Sequence, residues 1–124
     1  ADAFGGMLVG LRGTPVIVHV WASWCAPCRV EMPLLEQAAA EYDGRVAFVG
    51  LASRDSRADA TGFLDDVDVS YRNLFDADGE VRGVLGVRGF PTTFVFGADG
   101  TMLEAVVGGV TEQRLAAQLE DLAG

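Results

Sequence analysis

Cysteine and histidine are scarce in this chain, with two of the first and one of the second in 124 residues. A four-ligand zinc site needs more Cys or His than Cys25, Cys28 and His19 supply, so no metal site is assigned. Basic residues are few as well, nine against eighteen acidic, for a net charge of −9. Scattered along the sequence, those nine cannot form the cationic footprint that nucleic acid or anionic headgroups require, which excludes both as partners. Long apolar runs are also missing. The longest, around Pro15 to Ala22, contains His19 and falls short of the roughly 20 residues that span a bilayer, so the expectation is a soluble chain. Ala1 opens neither a basic n-region nor an apolar h-region, so no signal peptide is visible, and a cleaved leader or trimmed anchor stays open. There is no repeat, heptad or low-complexity run, and the glycines are dispersed at turn positions, which argues against a linker. With half of its residues hydrophobic, the chain reads as one domain over residues 1–124.

What the sequence does contain is concentrated at Trp24-Cys25-Ala26-Pro27-Cys28, where an apolar strand pattern gives way to a helical one. Two sulfurs three residues apart on the first turn of a helix share a face and can close a small disulfide loop. A structural staple would normally span more chain, so the pair reads as a reactive dithiol. Unpaired N–H groups and the partial positive charge of the helix start favour a thiolate there. Cys25, the outer sulfur, is the natural nucleophile, and Cys28, one turn in, the resolving thiol that attacks a mixed disulfide.

Val16 to Trp21 is nearly all apolar and β-branched, which suits a strand covered on both faces. From Pro27 to about Tyr42, Val30, Leu34, Leu35 and Ala38 recur at helical spacing, with Pro33 inside the run, where it should kink the helix. Arg45 to Leu51 reads as a second buried strand, Tyr71 to Phe75 as a further segment, and Ala58 to Val67 as an acidic helix entered through Ser56. Asp76-Ala77-Asp78-Gly79 is a turn before a short helix, Glu80 to Leu85. Thr92 to Phe96 and Met102 to Val107 flank Gly97-Ala98-Asp99-Gly100 as a hairpin. Thr111 caps a last amphipathic helix carrying Leu115, Leu119 and Leu122. The sum is an α/β fold, a mixed central sheet with helices on both faces and a βαβ unit at its start.

Trp21-Ala22-Ser23-Trp24-Cys25-Ala26-Pro27-Cys28-Arg29, then Glu31 and Pro33, then Gly86 to Phe94 with Phe90-Pro91-Thr92 at its centre, resemble the thioredoxin superfamily in its TlpA/ResA/DsbE-like branch. The resemblance covers about residues 11 to 122. It implies a thioredoxin fold with an inserted segment after the first βαβ unit, here Ser53 to Phe75, and thiol:disulfide exchange outside the cytoplasmic membrane. It also implies a cis bond before Pro91, facing the dithiol, with Phe90 backbone groups free to pair with a substrate strand. Trp24, Ala26 and Pro27 join Phe90 and Pro91 as substrate-binding residues, Trp24 shielding the rim. Glu31 falls on the position where that family carries a carboxylate in its active-site helix, one turn beyond Cys28. His19, six residues before Cys25, stands where cytosolic thioredoxins carry an acidic residue, and is a second candidate for handling the Cys28 proton.

The reading is therefore a thiol:disulfide oxidoreductase whose only redox group is the Cys25–Cys28 pair, with no bound cofactor. Its partners are protein thiols and disulfides and a membrane or soluble redox partner that recharges the dithiol, met as a monomer outside the cytoplasm. The tasks implied by the resemblance are reduction of apocytochrome c thiols or introduction of disulfides into exported proteins. The rivals are a non-enzymatic binding module on this scaffold and a CxxC metal carrier. A thiol peroxidase is a third rival, but this chain is assigned no separate peroxidatic cysteine and no arginine beside one.

Overall fold

Val16–Trp21 forms β1 at the centre of a five-stranded sheet, with all six residues buried. The computed structural model describes residues 2–109 and 111–123. Its elements run α1 (Asp2–Gly10), β1, α2 (Ala26–Glu41), β2 (Ala47–Ser53), α3 (Arg57–Val67), β3 (Arg72–Asp76), α4 (Glu80–Leu85), β4 (Thr92–Phe96), β5 (Met102–Val107) and α5 (Glu112–Ala123). The sheet order is β3-β2-β1-β4-β5, with β1 to β3 parallel and β4 antiparallel to both of its neighbours. Strand alternation assigns the layers. Val16, Val18 and Val20 pack with Phe4 of α1 and Val81 of α4, whereas Ile17 packs with Leu35 of α2 and with Leu115 and Leu119 of α5. Trp21 lies on the Ile17 face. There it meets Met32 of α2 and Phe63 of α3 in a cluster that also holds both cysteines.

The segment from Ser53 to Phe75 supplies α3 and β3. Ser56 caps α3 by accepting the Asp59 N–H at 3.1 Å, and β3 extends the sheet at its edge, pairing in parallel with β2. The hairpin closes where the glycines were read, with Gly97 N–H on the Thr101 carbonyl and Gly100 in the left-handed region at φ +88°. Thr111 caps α5, its hydroxyl oxygen accepting the Arg114 N–H. The second helix runs on through Pro33, which has no N–H to return to the Arg29 carbonyl.

The second strand differs from the sequence reading at both ends, while α3 starts one residue earlier and β3 is displaced by one residue. The second strand begins at Ala47 and not at Arg45, because Arg45 and Val46 both donate to the Tyr42 carbonyl in the turn that ends α2. It then continues to Ser53, since Ala52 and Ser53 pair with Phe75 and Asp76. The first helix was not anticipated, its two internal glycines being poor helix formers. It nonetheless carries a stripe, Phe4, Met7, Leu8 and then Leu11 just beyond its end, at the i, i+3, i+4, i+7 spacing that packs against the Val18 face.

One crossing ties the sheet to the dithiol end. The Trp21 indole reaches over β2 and donates to Asn73 Oδ1 on β3 at 2.9 Å. It passes above Gly50, where an added Cβ would overlap Asn73 Oδ1 and crowd the indole nitrogen.

Candidate functional site

Cys25 occupies the N-cap of α2 in extended conformation (φ −86°, ψ 108°) and is joined by a disulfide to Cys28, 5.2 Å away between Cα atoms. Cys28 N–H points at Cys25 Sγ, 3.3 Å away, so the first free donor of the helix is aimed at the outer sulfur. Pro27, in the first helical turn, has no N–H to leave unsatisfied. Both sulfurs are covered in the disulfide form, Cys25 retaining 4% exposure and Cys28 none. Cys25 is the more exposed of the two by a narrow margin, because it packs in the Trp21 cluster with Phe90 at its edge.

Above the disulfide, Trp24 is 59% exposed, with its ring 5.4 Å from that of Phe90 and its indole N–H on the Arg54 carbonyl at 2.7 Å. The Phe90–Pro91 bond is cis. Pro91 is fully buried, and its carbonyl takes the Gly108 N–H at 2.8 Å, whereas no loop backbone bond among the described residues uses Phe90. Ala26 and Pro27 are exposed on the first turn of α2. A depression of about 650 Å³ between Leu11, Ala39, Phe48 and Tyr71 is lined by none of these residues.

Behind the disulfide lies a buried polar cluster. Glu31, 2% exposed, comes down from α2 onto the sheet, its Oε1 3.2 Å from His19 Nε2 of β1. Thr93 of β4, the register partner of His19, donates its hydroxyl to the same oxygen at 3.4 Å. The backbone at Gly109 closes the other side, near enough that an added Cβ would sit 3.7 Å from Oε2. His19 Nδ1 is buried with no hydrogen-bond partner among the described residues. The two residues that were alternatives in the sequence are thus one pair, and Glu31 is no solvated helix-face charge. A buried carboxylate against an imidazole can exchange a proton within the pair, one helical turn from Cys28.

Sequence reasoning missed several neighbours. Thr93 was visible only through strand register. Ser23, Arg29, Arg54 and Asp55 join by contacts across the fold. Asp55 accepts both the N–H and the hydroxyl of Ser23, and Arg29 Nε donates to the Ser23 carbonyl at 2.8 Å.

The AhpC/TSA family model matches residues 7–105. The chain is 32% identical to the thiol-disulfide oxidoreductase ResA of Oceanobacillus iheyensis over 117 residues, covering 94% of this chain and 61% of that protein. It is 38% identical to the thiol:disulfide interchange protein DsbE of Pseudomonas fluorescens over 103 residues, 82% of this chain and 56% of the relative. This chain therefore spans about three fifths of the length of these two curated relatives. Among solved structures, a secreted Mycobacterium tuberculosis disulfide oxidoreductase homologous to E. coli DsbE superposes with a TM-score of 0.84 at 30% identity, over 92% of this chain and 86% of that one.

Proposed function

This chain belongs to the AhpC/TSA family, in its ResA- and DsbE-like branch, and from that premise we propose that it exchanges its Cys25–Cys28 dithiol and disulfide with cysteines of other proteins outside the cytoplasm. The observation that carries the reading is the disulfide itself, closed across the first turn of α2 with a helix N–H on the outer sulfur, and packed in a cluster whose margin holds Phe90, which packs on exposed Trp24 and precedes the cis bond to Pro91. In the reducing direction, Cys25 thiolate attacks a substrate disulfide. A Cys25–substrate bond forms, the substrate S–S bond breaks, and one substrate sulfur leaves as thiolate. Cys28 then gives its proton to the Glu31–His19 pair and attacks Cys25 Sγ. The internal disulfide forms as the Cys25–substrate bond breaks and the second substrate sulfur leaves as thiolate, so two electrons have passed to the substrate. The oxidising direction reverses each step, and the reduction potential against the compartment decides which runs.

The exposed Trp24–Phe90 surface supports protein segments as substrates, docked beside Ala26, Pro27 and Pro91. Exported proteins with paired cysteines fit, both those awaiting haem attachment and those awaiting disulfides, and a second thiol:disulfide partner recharges the pair. No helix among the described residues is long and apolar enough to cross a membrane. The exchange needs no group beyond the disulfide, and a single chain carries it.

The test is trapping. Cys28→Ser leaves Cys25 without a resolving thiol, so a mixed disulfide with a cysteine-bearing protein or peptide accumulates and is released by reductant, as read by intact mass. Normal turnover by that variant sinks the two-thiol mechanism. A bound metal in the wild-type mass, with no two-dalton redox cycle, favours the carrier instead.

A further inference from the structure

The turn that presents Cys25 is short. Cys25 N–H closes onto the Ala22 carbonyl at 3.2 Å, which leaves Ser23 and Trp24 as its central residues. Both are held from outside by two consecutive residues just before α3. Asp55 Oδ2 takes the Ser23 N–H at 2.6 Å and Oδ1 takes the Ser23 hydroxyl at 3.0 Å, while the Arg54 carbonyl takes the Trp24 indole N–H. Oδ1 also receives the Ser56 N–H at 2.9 Å, so the grip is continuous with the cap of α3, whose Ala60 and Phe63 pack in the cysteine cluster. From the other side, Arg29 donates to the Ser23 carbonyl with its guanidinium 4.6 Å above the Phe63 ring. The N–H, hydroxyl and carbonyl of Ser23 are thus all engaged. Arg54 accepts a left-handed backbone, φ +53°, a conformation that a side-chain-bearing residue rarely adopts. That conformation places its carbonyl on Trp24.

We propose that Asp55 is a positioning residue for the nucleophile. Building on the exchange reading of the dithiol, it holds the Ala22–Cys25 turn so that Cys25 Sγ stays against the Cys28 N–H, and through Arg54 it keeps Trp24 seated on Phe90. Without its carboxylate, the Ser23 N–H and hydroxyl turn to water and the turn gains competing conformations. Cys25 then spends less time where the helix start favours its thiolate. The three apolar clusters do not include Asp55, so the fold persists.

The experiment compares wild type with Asp55→Ala, Asp55→Asn and Ser23→Ala at one neutral pH, reading iodoacetamide alkylation of Cys25 in the reduced chain and exchange with a synthetic peptide disulfide. Asp55→Ala loses both hydrogen bonds from Ser23, along with that from the Ser56 N–H, and slows both rates about tenfold, and Ser23→Ala, which loses only the hydroxyl bond, slows them about threefold. Asp55→Asn keeps an acceptor and recovers most of the loss. Wild-type rates in Asp55→Ala, or equal rates for the Ala and Asn variants, overturn positioning, the second result pointing to charge alone. Should Asp55→Ala not fold, Ser23→Ala and Asp55→Asn carry the comparison, and wild-type rates in both overturn it. If the wild-type chain fails to exchange while Cys25 alkylation still responds to Asp55, the exchange reading falls and the positioning role stands.

Discussion

Glu31 sits where a carboxylate opposes a second negative charge, one turn beyond Cys28 and buried with His19 and Thr93. Low effective dielectric lengthens the reach of that charge, so a thiolate on either cysteine meets repulsion as well as the attraction of the helix start. Glu31→Gln removes the like charge and should move the alkylation profile of the reduced dithiol to lower pH. The midpoints belong to the cluster of two thiols, carboxylate and imidazole, so the direction is what is predicted. An unmoved profile in Glu31→Gln, together with a moved one in His19→Ala, assigns the proton to His19. The dithiol was legible because a two-residue gap sets both sulfurs on one helical turn, whereas Glu31 and His19 were reached through the family resemblance, Glu31 with the support of lying one turn beyond Cys28. Their meeting was not legible. It depends on α2 lying across β1 and on the register that sets Thr93 beside His19, neither of which is written in local sequence.

Among the elements, β2 shows how one position can serve a distant pair. Gly50 is buried in the strand and carries no side chain, which a strand interior ordinarily disfavours. The gap is filled from both sides by Trp21 and Asn73. Gly50→Ala forces the Asn73 amide and the indole apart and should lower unfolding free energy by about 2 kcal/mol, read as a shift of the urea midpoint at unchanged slope. A midpoint equal to wild type would show that the crossing relaxes freely. Strands β1, β4 and β5 and helices α2 to α5 could be read from periodicity, caps and turn glycines. The end of β2 could not, since its last two residues are drawn into the ladder by β3, an edge strand with only Leu74 and Phe75 apolar among its five residues. The first helix escaped because glycines lower its propensity while its stripe is fulfilled only by docking on the Val18 face.

Over the whole molecule, all nine basic residues are arginine, so no lysine titrates as pH rises through the alkaline range. Tyr71 does titrate, and its phenol is held well above the ordinary value of 10, mainly by burial and then by the Glu36 and Glu31 charges. The folded chain therefore keeps a proton that the unfolded chain has lost above pH 10. Stability is full below that pH and falls as pH rises beyond it. Tyr71→Phe should flatten this decline in urea midpoints measured from pH 8 to 11.5, and a decline identical to wild type would move its origin elsewhere. At neutral pH the variant should lose little, since the Tyr71 hydroxyl is buried with no hydrogen-bond partner among the described residues. The disulfide at the head of α2 closes so few residues that it restricts the unfolded chain only slightly. Folded and unfolded, oxidised and reduced, define a square of four states, and around any such square the free energies sum to zero. The difference in melting stability between the disulfide and dithiol forms is then the difference in their reduction free energies, folded against unfolded, with about 1.4 kcal/mol corresponding to 30 mV. If the reduced form is the more resistant to heat, the fold raises the potential above that of the unfolded chain and biases the dithiol toward oxidant. If the oxidised form resists longer, the bias is toward reductant. Two denaturation curves, with no partner in the cuvette, thus tell in which direction the fold biases the exchange.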